Sequence, residues 1–150
     1  MTQKLQTIRG THDILHDPMR IHKHVIETAR TVCERYGFDS ISTPIFEHTD
    51  VFTRPLGETS DIVSKEMYTF TSKSGDSLTL RPEGTASVVR SFIQHGLYDQ
   101  TPYKVFYEGA MFRYERPQKG RQRQFHQFGV ELLGVDCGCL LYTSPSPRDS

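Results

Sequence analysis

The chain has 150 residues, a length that suits one domain with its own core. Hydrophobic residues make up 35%, and 18 basic side chains balance 18 acidic ones, so no global field recruits nucleic acid. There is no secretory h-region and no apolar run long enough to span a bilayer, and the expectation is a soluble, cytoplasmic protein.

Asp17-Pro18 marks a helix start: a capping oxygen, then proline at the first helical position. Ile21, Val25, Ile26, Ala29, Val32, Cys33 and Tyr36 follow at helical spacing, with Cys33 as buried packing, and Gly37 ends the helix. Residues Ser40 to Phe46 read as a strand interrupted by Pro44. Proline cannot donate to a ladder, so this strand lies at an edge or bends there. Residues 57–65 are polar and aperiodic and read as a mobile loop. Met67 to Phe70 and Ser77 to Leu80 flank Ser74-Gly75-Asp76, which predicts a hairpin. Thr85 to His95 forms a short helix closed by Gly96, and Tyr103–Glu108 and Ala110–Glu115 continue as strands or as one bent strand. With hairpins dominant and no internal repeat, the fold class is α+β, a mainly antiparallel sheet flanked by helices.

The chain changes character at its end. Residues 139–150, CLLYTSPSPRDS, have no periodicity and match the translation of a sequencing-adapter end. They are expected to be a non-native or disordered tail, with residues 1–138 forming the folded unit. Cys137 and Cys139 form C-x-C without a second ligand pair, and His12, His48, His95 and His126 show no metal-ligand spacing, so no metal site is expected.

The stretch AMFRYERPQKGRQRQFHQFGVELLG, from Ala110 to Gly134, carries the chemistry. An apolar lead-in delivers Arg113 and Glu115, a basic loop follows, and a returning strand sets Phe125, Gln127, Gly129 and Glu131 on one face. Two polar side chains on an otherwise apolar face are costly unless something pairs with them. A cationic, polar ligand is the natural partner, and the arginines at the hairpin mouth suit a nucleotide phosphate.

FRxE, the basic loop and R-x-x-x-F resemble motif 2 of the class II aminoacyl-tRNA synthetases. RPQKGRQRQFHQFGVE is most similar to the histidine-specific branch of that family. Ile8 to Asp13 and Leu78 to Thr85 agree with it, and the helix, strand and Pro44 resemble motif 1, which forms the dimer interface there. The similarity runs from about Lys4 to about Gly138 and implies the N-terminal part of a class II catalytic domain.

That resemblance implies ATP-dependent activation of L-histidine to histidyl-adenylate and its transfer to tRNA(His), by a homodimer and with Mg2+ held mainly by the ATP phosphates. It puts Arg113 on the α-phosphate as the catalytic residue, the alternative being a surface ion pair with Glu115. Glu115 would face the adenine amine. Phe125 would stack on the adenine ring or simply pack in the core. Arg121 would lie near the terminal phosphates, while Arg116, Lys119 and Arg123 form a solvated basic loop. Glu83, Gly84, Thr85 and Gln127 would hold the amino end of histidine, and Glu131 would accept an imidazole N–H. Glu83 could instead be a helix-start carboxylate. The rivals are a histidine-binding regulatory subunit of ATP phosphoribosyltransferase, which shares the fold, and a class II synthetase for another amino acid. The family's later segments, including further catalytic arginines and the anticodon-binding domain, are not in this sequence. The chain alone is therefore expected not to charge tRNA.

Overall fold

The computed structural model describes residues 4–54, 66–116 and 120–135. The expected loop at 57–65, Lys119, Cys137, Cys139 and the tail lie outside the described residues.

Helix α1, His16–Arg35, begins earlier than Asp17-Pro18 predicts. Leu15 occupies the cap position and offers no side-chain hydrogen bond, so Asp17 is not the cap. It sits in the first turn, where a carboxylate favours the helix dipole, and pairs with Arg20. The other end follows the sequence closely. Gly37 takes φ +74°, donates its N–H to Glu34 O at 3.0 Å, and lets Phe38 N–H reach Cys33 O at 3.0 Å. This is a Schellman closure, and a β-carbon at Gly37 would strain it. Cys33 is buried, and burial pushes its thiol ionisation up.

The expected strand across Pro44 is two short strands in different sheets. β1, Asp39–Ser40, pairs in parallel with β5, Tyr103–Phe112. β2, Phe46–His48, pairs antiparallel with β4, Ser77–Leu80. Pro44 lies in the bend between the sheets, where no ladder needs its missing N–H. β3, Thr69–Thr71, completes the second sheet in the order β2-β4-β3 and forms the predicted hairpin with β4. A one-turn helix α2, Asp50–Thr53, follows β2.

β5 is one continuous strand. It returns as β6, Gln124–Leu133, in a ten-residue antiparallel ladder that gives the first sheet the order β1-β5-β6. All strand pairs except β1–β5 are antiparallel, so the α+β, mainly antiparallel reading holds. Helix α3, Thr85–Gln94, covers one face of this sheet: Val88 packs with Val105, Tyr107 and Met111. On the opposite face Phe106 stacks on Phe128 at 5.6 Å, and Arg30 of α1 reaches over Phe106 and to Glu108. The sheet is therefore enclosed between α1 and α3 along β5, while β6 is its edge.

Arg81 joins the two sheets. Its backbone N–H donates to Ile45 O at 2.9 Å, its Nε to Ala110 O at 2.9 Å and its Nη1 to Thr43 O at 3.0 Å. Burial lowers its ionisation from the usual arginine range, but a guanidinium stays charged, so these carbonyls are its compensation.

Candidate active site

Register decides which side chains meet. Met111 lies opposite Phe125, Gly109 opposite Gln127, Tyr107 opposite Gly129 and Val105 opposite Glu131. Cross-strand partners share a face, so the polar residues of β6 stand on the same side as the core residues of β5. α3 packs on that face through Val88 and meets β6 through the Thr85–Glu131 contact, and Phe125, Gln127, Gly129 and Glu131 of β6 stay partly exposed. From Phe125 to Glu131 the strip runs roughly 20 Å along the strand.

At one end of the strip lie the residues just beyond β5. The Arg113 guanidinium sits over the Phe125 ring, 5.0 Å from its centroid, and its Nε donates to Pro82 O at 3.0 Å. Its Nη1 approaches Glu115 at 3.8 Å, and Arg121 Nη1 reaches the other Glu115 oxygen at 3.3 Å. Glu115 is 15% exposed, while Arg113 and Arg121 are 39% and 63% exposed. The ion pair considered from sequence is thus present, and it does not exclude a ligand. The arginine ends of these pairs are partly open to solvent, so an incoming phosphate oxygen can compete with Glu115 for them. Phe125 packs partly against the core and also offers a ring face.

Arg123 departs from the expectation of a solvated loop residue. Its guanidinium lies 4.5 Å from the Tyr114 ring centroid and reaches Glu115 O and Arg9 O, each at 3.4 Å. Its N–H donates to Gly10 O at 2.7 Å. The segment from Ile8 to Thr11 therefore props the hairpin, a tertiary role that no local pattern announces. Arg116 is exposed, in keeping with a solvated position.

At the other end β6 meets the start of α3. Thr85 Oγ1 donates to Glu131 Oε1 at 2.6 Å. Both Glu83 oxygens accept backbone N–H groups, from Thr85 at 2.7 Å and Ala86 at 2.9 Å. Glu83 is thus the helix-start carboxylate that the sequence offered as an alternative. Each oxygen keeps a second lone pair, so an ammonium can still bind there. Among the described residues Gln127 Oε1, between the two ends, is buried and has no hydrogen-bond partner. A buried acceptor left unpaired costs about 1–3 kcal/mol, and a donor supplied by a ligand would remove that cost.

Sequence reasoning missed Tyr107. It is 5% exposed, and its ring fills the space between two glycines: a β-carbon on Gly84 or Gly129 would overlap it. The signal was a glycine, Gly129, on the polar strand face, opposite an aromatic residue. His126 points away from the strip and meets His22 edge to face at 4.6 Å. A groove of about 680 Å³ beside α3 shares Glu83 and Thr85 with the strip, but Phe125, Gln127 and Glu131 do not line it. Among the described residues no group of three or more His, Cys, Asp and Glu side chains could hold a metal ion, and no helix is long and apolar enough to cross a membrane.

These residues lie in a segment with known relatives. A family profile described as histidyl-tRNA synthetase matches residues 10–138. A protein of Rhodospirillum rubrum named histidine–tRNA ligase is 68% identical over 88% of this chain and 32% of its own length. A Gluconobacter oxydans protein of the same name is 63% identical over the same shares. Among solved structures, apo histidyl-tRNA synthetase of S. aureus superposes with a TM-score of 0.72 at 40% identity, over 88% of this chain and 34% of that one. A Bacillus halodurans protein described as an ATP phosphoribosyltransferase regulatory subunit/histidyl-tRNA synthetase gives 0.74 at 25% identity, over 91% and 34%. The chain spans about a third of the length of the curated relatives it matches. A profile match over most of its length, with Glu83, Arg113, Gln127 and Glu131 all inside it, makes this chain a member of the histidyl-tRNA synthetase family.

Proposed function

We propose that this chain is part of a histidine–tRNA ligase, and that the strip on β6 with the start of α3 is its substrate site. One observation carries the reading. The β6 face, with the loop beyond β5 and the start of α3, presents an aromatic ring and arginines at one end, an unpaired amide acceptor in the middle, and two carboxylates at the other. That arrangement fits a nucleotide and an ammonium-bearing amino acid laid end to end.

In the proposed reaction a histidine carboxylate oxygen attacks the α-phosphorus of ATP. The bond to the bridging oxygen breaks, and pyrophosphate leaves. The terminal ribose hydroxyl of tRNA(His) then attacks the histidyl carbonyl and releases AMP. The first nucleophile is already an anion, so no general base is needed, and alignment and charge neutralisation must supply the acceleration. Arg113, a planar fork above Phe125, would hold the α-phosphate and the carboxylate together. Arg121 would neutralise the terminal phosphates, Phe125 would stack on adenine and Glu115 would accept from its amine. Glu83, Gly84, Thr85 and Gln127 would hold the ammonium, and Glu131 would accept the imidazole N–H. Mg2+ would enter on the ATP phosphates and add charge neutralisation there.

The cytoplasm is the proposed location. A homodimer through α1 is proposed as well, since Ile21, Val25 and Val32 are 64%, 57% and 46% exposed on that helix. The regulatory-subunit reading is weaker. The RPQKGRQRQFHQ segment is intact, and the high-identity relatives carry the ligase name.

Amino-acid-dependent ATP–pyrophosphate exchange by the full-length protein tests the proposal. Exchange with L-histidine and with no other standard amino acid is expected. Histidine binding without exchange would favour the regulatory reading, and exchange with a different amino acid would overturn the specificity.

A further inference from the structure

We propose that Tyr107 is a positioning residue that sets the spacing of the amino-acid subsite and holds Glu131 in place through its hydroxyl. This inference rests on the ligase reading and adds to it a residue outside the polar strip.

The geometry begins with the strand register. Tyr107 lies opposite Gly129, and Gly129 falls midway between Gln127 and Glu131 on the same face. With no side chain at 129, the tyrosine ring leans across β6 into the vacant space. The closeness is measurable. A β-carbon at Gly129 would lie 2.4 Å from Cζ and Oη of Tyr107, and one at Gly84 would lie 2.2 Å from Cε2. The ring is therefore held between the turn that starts α3 and the strand that carries the ligand groups. It forms the floor between the residue proposed for the ammonium, Gln127, and the residue proposed for the imidazole, Glu131.

The hydroxyl end of the ring lies against Gly129, two residues before Glu131 on the same strand face, and Thr85 Oγ1 donates to Glu131 Oε1 at 2.6 Å. Burial, reinforced by the charges of Glu131 and Glu83, pushes the phenol ionisation up against the opposing effect of the Thr85 hydroxyl. Tyr107 is thus a neutral donor at working pH, placed beside a carboxylate. When the ligand ammonium recruits Thr85 and Glu83, Glu131 loses its Thr85 donor. Tyr107 then supplies a hydrogen bond to one carboxylate oxygen and leaves the other for the imidazole N–H. A carboxylate held at a fixed distance from Gln127 rewards a side chain with a ring donor at one reach from the α-carbon, which is a selection by length as well as by polarity.

Tyr107→Phe keeps the ring and removes only the hydroxyl. In the full-length protein, ATP–pyrophosphate exchange would be measured for wild type, Tyr107→Phe and Tyr107→Leu, titrating histidine and ATP separately. For Tyr107→Phe we expect the histidine KM to rise about tenfold, the scale of one hydrogen bond to a charged group, with the ATP KM within about twofold. Tyr107→Leu, which also removes the floor, should raise the histidine KM further. An unchanged histidine KM in Tyr107→Phe would overturn the role of the hydroxyl. Equal changes for both substrates, or a fall in melting temperature that accounts for the loss, would reduce Tyr107 to a packing residue and overturn the inference. A wild-type protein that shows no histidine-dependent exchange would instead overturn the ligase reading itself.

Discussion

Among the described residues Arg113 has three partners: the Phe125 ring, Pro82 O and Glu115. The proposed reaction replaces the weakest, the 3.8 Å pair with Glu115, by a phosphate oxygen. Arg113→Ala in the full-length protein is expected to slow adenylate formation by about 10² or more, the scale of losing one preorganised donor to developing charge. Pyrophosphate exchange near the wild-type rate would refute that role. Tyr107 offers a separate, pH-based check. Its ionisation is raised in the folded chain, mainly by burial, so its contribution to stability is full below the usual tyrosine range and is lost as pH rises through the folded value. Urea unfolding should therefore lose stability less steeply above pH 10 in Tyr107→Phe than in wild type, and identical slopes would contradict the assignment. At this scale Phe125, Gln127 and Glu131 were legible because alternation puts them on one face. Tyr107, Arg81 and Gly10 were not, because their roles depend on which strand or segment lies alongside.

The helices show a mixed result for a physical reason. Gly37 was legible because a left-handed closure is a local demand that glycine meets without strain. The start of α1 differs from the expectation: its first residue, His16, takes φ +52°, and Asp17 falls in the first turn rather than at the cap. Pro44 correctly signalled a bend, but only the pairing of β1 with β5 and β2 with β4 shows that the bend separates two sheets. α3 carries a double duty at its first turn. Glu83 caps it through two N–H groups and also borders the proposed ammonium site. Glu83→Ala is expected to destabilise the chain by about 1 kcal/mol in urea unfolding, as for loss of a helix cap, with Glu83→Gln retaining part of it. An Ala variant as stable as wild type would show that the capping bonds contribute nothing.

On the scale of the molecule, the chain spans about a third of the length of the relatives it matches, and the proposed site takes from it the β6 face and the start of α3. We propose that residues 1–138 belong to the catalytic domain of the longer ligase and do not catalyse alone. That part by itself leaves the ATP phosphates partly unneutralised and the attack unaligned. In single-turnover assays with the purified 150-residue chain and labelled ATP, no histidine-dependent adenylate above a no-enzyme control is expected, and clear product would show that this part suffices. The central claim, that the β6 face is a histidine site, meets its most direct test in Glu131→Ala. In the full-length protein, calorimetric titration of this variant should show histidine binding weakened far more than ATP binding, because the imidazole N–H loses its acceptor while the Arg113–Phe125 end is untouched. Equal weakening of both ligands, or histidine bound as tightly as by wild type, would contradict the account.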